Sequence, residues 1–440
     1  MNIKVDLLKD CGKIKPLHAV NNGPVRPRSD MVSGNFADYK AARFPYERNH
    51  DASYCAGYGG EHVVDVHAIF TNFDADENDP ANYDFFLTDI HVKNSFDAGT
   101  KVFYRLGSKI EHWQKKYGTL PPKDFAKWAR ICEHIIMHYT QGWADGFFYD
   151  IEYWEIRNEP DGKLDDDPHK PTWGGTKAEF FDFFTVAAKY LKSRFPHLKI
   201  GGPAMAFRYY DWLDEFLAHL SANNVPLDFF SWHVYNTYPE ITEELAVMIR
   251  EKLDKAGYKN AESIIDEWNY VHDWGDGWTE TIRRINCIHG AAYAASVMCV
   301  SQYVPIDMLM YYDARPCTMN GLFNFYGYKK QKTYYVLSNF SKLYELSGCV
   351  ECTRDDGAYA IAAKNEKGDF GIMISVYKDA PSPEEKTLTL EIKDTDVAKV
   401  RVLRIDEEND EKDEGLFDIV NGKLDITVKN HTVLFVLSER

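Results

Sequence analysis

The 440-residue chain lacks long hydrophobic runs, and it lacks positive charge relative to negative charge. No apolar stretch approaches the roughly 18 residues of a membrane-spanning helix, and no long apolar signal region follows Met1. The formal net charge of −17 repels phosphate backbones and anionic membrane surfaces. The sequence therefore predicts a cytoplasmic protein that binds neither nucleic acid nor membrane.

Closely spaced cysteines are also scarce. Of the eight cysteines, only Cys349 and Cys352 lie near each other in the sequence. Side chains three positions apart on a strand face opposite sides, which is unfavourable for binding one metal ion. We therefore expect reduced, mostly buried thiols.

The chain does contain a regular alternation of apolar strand-like runs and helical stripes. One helical stripe runs from Phe125 to Tyr139 and begins after Asp124, a typical helix start. The predicted strands are 16–20, 62–70, 101–106, 147–156, 199–203, 228–235, 263–268 and 306–312. Eight strand–helix repeats predict a (β/α)8 TIM barrel over residues 11–345. The polar and aromatic segment 25–60 is predicted to be a βα-loop folded over the barrel mouth, or a lid.

The pattern changes after residue 345. Leu388, Leu390 and Ile392 alternate with polar residues, and Asn421-Gly422 lies between two apolar runs as in a hairpin. These features predict that residues 346–440 form a small antiparallel β-sandwich. Residues 1–10 are expected to add an N-terminal strand to it.

Two glutamates stand where strand-like runs end. Glu159 follows the run that ends at Ile156, and Glu267 follows Ser263-Ile264-Ile265. The carboxyl ends of barrel strands meet at one mouth, so both side chains are expected there. Hydrolysis of a glycosidic bond needs two such carboxyl groups, one protonated and one ionised. The sequence therefore predicts Glu159 and Glu267 as catalytic residues.

Polar neighbours of these glutamates are candidates for substrate binding. Asn158 precedes Glu159 and can donate to a sugar hydroxyl. His233 and Tyr235 end the sixth predicted strand. Either can steady Glu267 or bind a sugar hydroxyl.

Four further residues are candidates because of their predicted positions. His67 and Arg105 end the second and third predicted strands, where they can bind hydroxyls or the carboxylate of an acidic sugar. A buried structural ion pair is the equal alternative for them. Trp274 and Trp278 lie in a glycine-rich loop after the seventh strand, where tryptophan can stack on sugar rings.

Asn158-Glu159-Pro160 on the fourth strand and Glu267 on the seventh resemble the retaining glycoside hydrolases of clan A. Their spacing, and the β-sandwich after the barrel, are similar to glycoside hydrolase family 39, which includes β-xylosidases and α-L-iduronidases. The resemblance implies that Glu159 is the acid/base, Glu267 the nucleophile, Asn158 the ligand of the sugar 2-hydroxyl and Tyr235 a partner of the nucleophile. It also implies carboxyl groups about 5 to 5.5 Å apart, a covalent intermediate on Glu267, and no metal or organic cofactor.

One residue departs from the family pattern. Arg157 stands where tryptophan is usual. Alternation along a strand places it on the same side as Glu155, which predicts an ion pair between them, although it can instead alter the sugar site.

Three alternatives use the same barrel differently. A transglycosidase would use the same glutamate pair, and a non-catalytic carbohydrate-binding barrel would use neither glutamate. A metal-dependent hydrolase would need ligands such as His18, His67 and His233 to converge. The glutamate pair favours a retaining glycosidase, exo-acting on short oligosaccharides, and the aromatic surface is compatible with a homo-oligomer.

Overall fold

The computed structural model describes residues 1–27, 34–51, 63–317, 319, 321–381 and 384–439. They form a closed barrel of eight parallel strands and a separate nine-stranded sheet. Among these residues, no helix combines the length and apolarity needed to cross a bilayer. The (β/α)8 barrel followed by a β-rich domain confirms the fold class predicted from the sequence.

Strand β1 (Asn2–Lys13) belongs to the nine-stranded sheet, and the barrel follows it in the chain. The barrel strands are β2 (Ala19–Asn21), β3 (Tyr46–Arg48), β4 (Lys101–Leu106), β5 (Tyr153–Ile156), β6 (Lys199–Met205), β7 (Phe229–Asn236), β8 (Glu262–Tyr270) and β9 (Met308–Tyr311). They pair in chain order, and β9 closes the barrel by pairing with β2.

Ten α-helices lie within the described part of the chain. They are α1 (Phe36–Ala42), α2 (Val66–Ile69), α3 (Phe86–Ala98), α4 (Phe125–Gln141), α5 (Lys177–Arg194), α6 (Tyr210–Ala222), α7 (Pro239–Lys255), α8 (Trp278–Ile285), α9 (Ile288–Gln302) and α10 (Lys332–Leu346). Helix α4 begins as predicted, because the Asp124 carboxylate accepts a 3.0 Å hydrogen bond from the Lys127 amide. It ends at Gly142, whose φ of 75° favours glycine.

The second barrel strand corrects the sequence prediction. The run 63–70 is not a strand. Part of it forms the short helix α2, and its apolar side chains are buried. The true second strand, β3, lies inside the segment 25–60, which was predicted to be only a loop or lid. Strand β3 was not predicted because two of its three residues are charged. Glu47 and Arg48 are nevertheless both buried, and both have hydrogen-bond partners inside the protein. Residues 28–33, 52–60 and His62 of these predicted segments lie outside the described residues.

The remaining strands form the nine-stranded sheet, in the order β15-β14-β17-β12-β11-β10-β1-β13-β16. They are β10 (Gly348–Cys352), β11 (Ala358–Lys364), β12 (Phe370–Val376), β13 (Lys386–Lys393), β14 (Lys399–Ile405), β15 (Lys412–Asp418), β16 (Lys423–Val428) and β17 (Thr432–Glu439). One apolar core joins side chains from both ends of this sheet, so the sheet folds over onto itself. All pairs are antiparallel except β1 with β13.

Helix α9 connects the barrel to the sheet. Every residue of α9 is buried, including its serines and its glutamine. A helix without an exposed polar face must be covered on all sides, and α9 contacts α7 and β8 of the barrel as well as β11 and β12 of the sheet. The sheet therefore supports the barrel through α9.

Candidate active site

The barrel interior changes from apolar to charged along its axis. Side chains two apart on a strand face the same side, so inward residues can be followed upward from the apolar layer. Phe103, Tyr153 and Ile264 belong to that lower layer. Two positions further along the same strands stand Arg105, Glu155 and Asp266, all fully buried. The site therefore lies at the carboxyl ends of the strands, above a sealed apolar floor.

Glu159 and Glu267 converge at this mouth. One side-chain oxygen of each, together with one ring nitrogen of His233, lie within 4.8 Å of one another. His233 Nδ1 is 2.8 Å from Glu159 Oε1 and 3.5 Å from Glu267 Oε2. The imidazole thus lies between the two carboxyl groups that were predicted to react.

Glu267 is held from several sides. Arg48 Nη1 donates to Glu267 Oε1 over 2.7 Å, and the Tyr235 hydroxyl donates to Oε2 over 2.8 Å. His50 Nε2 lies 3.3 Å from Oε1. Arg48 also donates from Nη2 to Asn158 Oδ1 over 2.7 Å, which leaves the buried Asn158 Nδ2 without a protein partner among the described residues. These contacts fix the orientation of the Glu267 carboxylate.

A β-bulge lets Glu267 face into the barrel beside Asp266. Trp232 of β7 pairs with Ile265 of β8, and the next residue, His233, pairs with Glu267. Asp266 is therefore the extra residue on the bulged strand, and such bulges re-aim side chains near active sites. Without this irregularity, two consecutive residues of a strand would face opposite sides of the barrel.

Arg48 connects Glu267 to two more buried carboxyl groups. Its Nε lies 2.7 Å from Glu155 Oε2 and 3.0 Å from Asp266 Oδ2. Burial raises the pKa of Glu155 to about 8 against the opposing charge of Arg48, and the neighbouring Asp266 adds to the rise. Burial also opposes ionisation of Asp266, but Arg48 and His233 hold its pKa below its usual range. Near neutral pH, Glu155 thus keeps a proton that Asp266 lacks.

Sequence reasoning missed Arg48, His50 and the role of Asp266. Arg48 and His50 lie on or just after the strand that the sequence did not reveal. Asp266 directly precedes Glu267, and that adjacency was the one available signal. The bulge that turns both side chains inward has no signature in the local sequence.

The backbone at Glu159 is bent sharply as it leaves β5. Glu159 has φ of 48°, in the left-handed region that is unfavourable for a residue with a side chain. Its amide donates to the Ala204 carbonyl over 2.9 Å, and its carbonyl accepts from the Thr172 hydroxyl over 2.6 Å. Burial alone would raise the pKa of the Glu159 carboxyl, but the hydrogen bond and charge of His233 outweigh burial and hold the pKa below its usual range.

Arg157 does not pair with Glu155, contrary to the sequence prediction. The prediction assumed regular strand alternation, but β5 ends at Ile156 and Arg157 has φ of 72°. Its side chain turns outward, where Nη1 donates to the Ser108 hydroxyl and to the Gly118 carbonyl, each over 2.9 Å. The guanidinium is enclosed by the rings of Trp128, Trp173 and Phe183.

The other predicted substrate-binding residues have mixed positions. His67 lies in α2, packed against Gly118, and not at the end of a barrel strand as predicted. Arg105 does end a strand, but its Nη2 donates to Asp65 Oδ1 over 2.7 Å, which is the structural ion pair given as the alternative. A sugar-binding role for either residue stays a prediction.

Trp274 lies in the loop after β8, whereas Trp278, predicted in the same loop, is the first residue of α8. Trp274 meets the Tyr235 ring edge to face with centroids 5.2 Å apart, and it stacks on Trp278 at 5.3 Å. Trp274 is 57% exposed. An exposed indole next to the tyrosine that holds Glu267 is suited to contact a sugar ring.

The three histidines considered for a metal site do not form a cluster within the described ranges. His18 is fully buried between Phe340 and Tyr344, and burial lowers its pKa to about 3. Glu159, His233 and Glu267 are the one group in that part of the chain with ligand-like spacing. The hydrogen bond between His233 and Glu159 accounts for that spacing, and we assign no metal ligand here.

Comparison with known proteins places this site in a family. The sequence profile of "Glycosyl hydrolases family 39" matches residues 1–306. A β-xylosidase of Geobacillus stearothermophilus is 30% identical over 131 residues, and one of Caldicellulosiruptor saccharolyticus is 27% identical over 215 residues. These segments are 29% and 44% of this chain, and they span only 24% and 41% of the two relatives.

Solved structures share the whole architecture at low identity. A glucosidase from Croceicoccus marinus superposes with a TM-score of 0.80 at 21% identity, covering 100% of this chain and 99% of its own. A monomeric β-xylosidase from Caulobacter crescentus CB15 gives 0.73 at 17% identity, covering 99% of both chains. At these identities the likeness shows the fold alone. Because its profile covers more than half of the sequence, the chain belongs to glycosyl hydrolase family 39.

Proposed function

We propose that the protein is a retaining glycoside hydrolase in which Glu267 is the nucleophile and Glu159 is the acid/base. The observation that carries the proposal is the convergence of their side-chain oxygens within 4.8 Å. Retaining enzymes place the two carboxyl groups about 5 to 5.5 Å apart, whereas inverting enzymes need about 6.5 to 9.5 Å to admit a water molecule. The observed spacing is far closer to the retaining geometry.

The contacts of each residue suit its proposed role. Arg48 and Tyr235 hold both oxygens of Glu267, so that the carboxylate can attack the anomeric carbon without first reorienting. Glu159 then protonates the departing oxygen, and in the second step it accepts a proton from the water that hydrolyses the glycosyl ester. Asn158 Nδ2 is buried and has no partner within the described part of the protein, so it can donate to the sugar 2-hydroxyl.

We propose a β-xyloside as the first substrate to test and a β-glucoside as the second. The names of the two curated relatives support the former, and that of the glucosidase from Croceicoccus marinus supports the latter. Arg157, the departure from the family pattern, does not oppose this choice, since its guanidinium lies among Trp128, Trp173 and Phe183. It makes no contact with the carboxyl groups of the site among the described residues.

The test is hydrolysis of a panel of aryl glycosides by wild type, Glu159→Ala and Glu267→Ala. The panel contains β-xyloside, β-glucoside, β-galactoside, α-L-arabinoside and α-L-iduronide. Glu267→Ala should be inactive, and azide should restore turnover to Glu159→Ala on a substrate with a good leaving group. Glu262→Ala is the matched control, because Glu262 lies at the opposite end of β8, where it pairs with Lys199.

Full activity in both Glu159→Ala and Glu267→Ala would disprove the assignment. Failure of wild type to cleave any member of the panel would favour the non-catalytic barrel. Release of single sugars from the end of a short oligosaccharide is expected for exo-action, and internal cleavage would contradict it. Products elongated by an added acceptor in place of free sugar would indicate a transglycosidase.

A further inference from the structure

We propose that Asp266, His233 and Glu159 form a proton-transfer chain in which His233 holds the catalytic proton at Nδ1 and delivers it to Glu159 Oε1. This inference rests on the proposed function. Asp266 is a positioning residue in it, because it acts on the substrate only through the imidazole. The arrangement extends the two-glutamate mechanism by naming where the acid's proton resides before substrate binds.

The geometry has the order of a catalytic triad. His233 Nδ1 lies 2.8 Å from Glu159 Oε1, which is hydrogen-bond distance. On the opposite side of the ring, Nε2 lies 3.6 Å from Asp266 Oδ2. His233 and Asp266 are both almost completely buried, so no bulk water separates them from their partners. A distance of 3.6 Å is too long for a hydrogen bond, so the buried Asp266 carboxylate stabilises the imidazolium through its charge.

The transfer balances without any added reactant. In the resting state the imidazolium carries protons on both nitrogens and Glu159 is ionised. The Nδ1–H bond breaks as the Oε1–H bond forms, leaving a neutral imidazole whose Nε2–H faces Asp266. Glu159 then gives this proton to the departing oxygen, and the proton from the attacking water in the second step restores the pair.

The charged groups that face His233 fit this direction of transfer. They are Glu159 after β5 and Asp266 and Glu267 from β8. Arg48 contacts Asp266 and Glu267, whereas His50 and Arg208 act on Glu159. Burial opposes the charged ring, yet Glu267 and Asp266 raise the pKa of His233 well above its usual value. When Glu267 becomes a neutral ester, one of these anions disappears, so the imidazolium should give up its proton more readily at the step that needs it.

The first test measures His233 directly and needs no substrate. Histidine labelled with ¹⁵N in the full-length protein is titrated by NMR, and the His233 signal is identified by its absence from His233→Asn. The proposal expects the ring to remain doubly protonated at pH 7 in wild type, and Asp266→Asn to lower its pKa by about one unit or more. A wild-type ring that titrates at or below the ordinary value would overturn the proposal, whether or not the protein cleaves glycosides.

The second test uses leaving groups of different acidity. The dinitrophenolate leaving group of a dinitrophenyl glycoside departs without a proton, whereas the alkoxide leaving group of an alkyl glycoside must be protonated. Asp266→Asn should therefore reduce kcat/KM for the alkyl glycoside about tenfold more than for the dinitrophenyl glycoside. The alkaline limb of the pH profile should move to lower pH, because the imidazolium has lost a neighbouring anion. Asp266→Glu, which keeps the charge, should restore both the rate on the alkyl glycoside and the position of the alkaline limb.

The matched control is Asp379→Asn. Asp379 also pairs with a histidine, His289 Nε2 at 2.9 Å, but between the barrel and the sheet. The Asp379→Asn variant should show the same leaving-group dependence and the same pH profile as wild type. Equal losses on both glycosides in Asp266→Asn, with an unmoved alkaline limb, would show that Asp266 is merely structural. Inactivity of wild type on every glycoside would reject the proposed function. The NMR titration does not depend on that function, so it tests the state of His233 separately.

Discussion

Replacing Arg48 by methionine should destabilise the fold by an amount that depends on pH. Arg48 is fully buried, and its guanidinium contacts three carboxyl groups, those of Glu155, Asp266 and Glu267, at 2.7 to 3.0 Å. Methionine preserves most of the volume and removes the charge. The carboxylates would then be buried without their common cation.

The expected loss follows from breaking a buried ion pair on one side. Such a change typically costs about 3–5 kcal/mol, because the remaining charge stays desolvated. We therefore expect Arg48→Met to lower the free energy of unfolding by about 4 kcal/mol at pH 8. The same variant should lose most activity, since Glu267 also loses the donor that orients its Oε1.

The loss of stability caused by Arg48→Met should be smaller at pH 5 than at pH 8. In wild type, Arg48 and His233 hold the pKa of Asp266 below its usual value, so the stability that this group contributes is retained throughout pH 5 to 8. Without the guanidinium, burial should raise the pKa of Asp266 above its unfolded value. The folded variant would then bind a proton that the unfolded chain releases, and its stability would fall as pH rises. The difference in unfolding free energy between wild type and Arg48→Met should therefore widen from pH 5 to pH 8.

Chemical denaturation at pH 5, 6.5 and 8 measures this gap. The control is Arg283→Met, an exposed arginine paired with Glu280 on α8, which should leave stability unchanged at each pH. If the difference in unfolding free energy between wild type and Arg48→Met stays constant or narrows as pH rises, the argument that Arg48 keeps Asp266 ionised is refuted.

Tyr235→Phe removes only the hydroxyl that donates to Glu267 over 2.8 Å, and kcat/KM should fall about tenfold to a hundredfold with an unchanged unfolding temperature; an unchanged rate would mean that this bond does not orient the nucleophile. Glu155→Gln should gain stability relative to wild type as pH rises from 5 to 8. The reason is that the native state holds the Glu155 proton up to a pKa of about 8, whereas the unfolded chain releases it near its ordinary value; parallel pH dependences in denaturation would contradict this. Incubation with EDTA should leave kcat/KM unchanged, because two carboxyl groups suffice for double displacement, and loss of activity that a divalent cation restores would show that Glu159, His233 and Glu267 bind metal.

Much of the fold could be predicted because its strands are apolar and its helices amphipathic. The barrel class and the β-rich second domain are confirmed, as is the resemblance to family 39. The exception is instructive: β3 consists of Tyr46, Glu47 and Arg48, which do not resemble a buried strand. Charges are tolerated there because partners from helix α3 and from other barrel strands lie against them, and those partners are distant in the sequence.

The candidate site could be predicted where it depends on one strand at a time. Glu159 and Glu267 lie at the mouth as expected, although their catalytic roles remain proposals. Arg157 was misjudged because its left-handed backbone conformation interrupts the alternation on which the prediction relied. Asp266 and the adjacent Glu267 both face inward because of a bulge against β7, which is a property of the paired strands and not of either sequence alone.

The position of β1 has a consequence for how the protein is made. Asn2 pairs with Thr389, and Val5 pairs with both Cys352 and Ile392. Strand β1 therefore stays without these partners until the sequence beyond the barrel has been synthesised, which takes roughly 20–80 s at about 5–20 residues per second. The whole barrel sequence is synthesised in that interval. The nine-stranded sheet thus draws on segments from both sides of the barrel sequence, and it can be completed only after that sequence has been made.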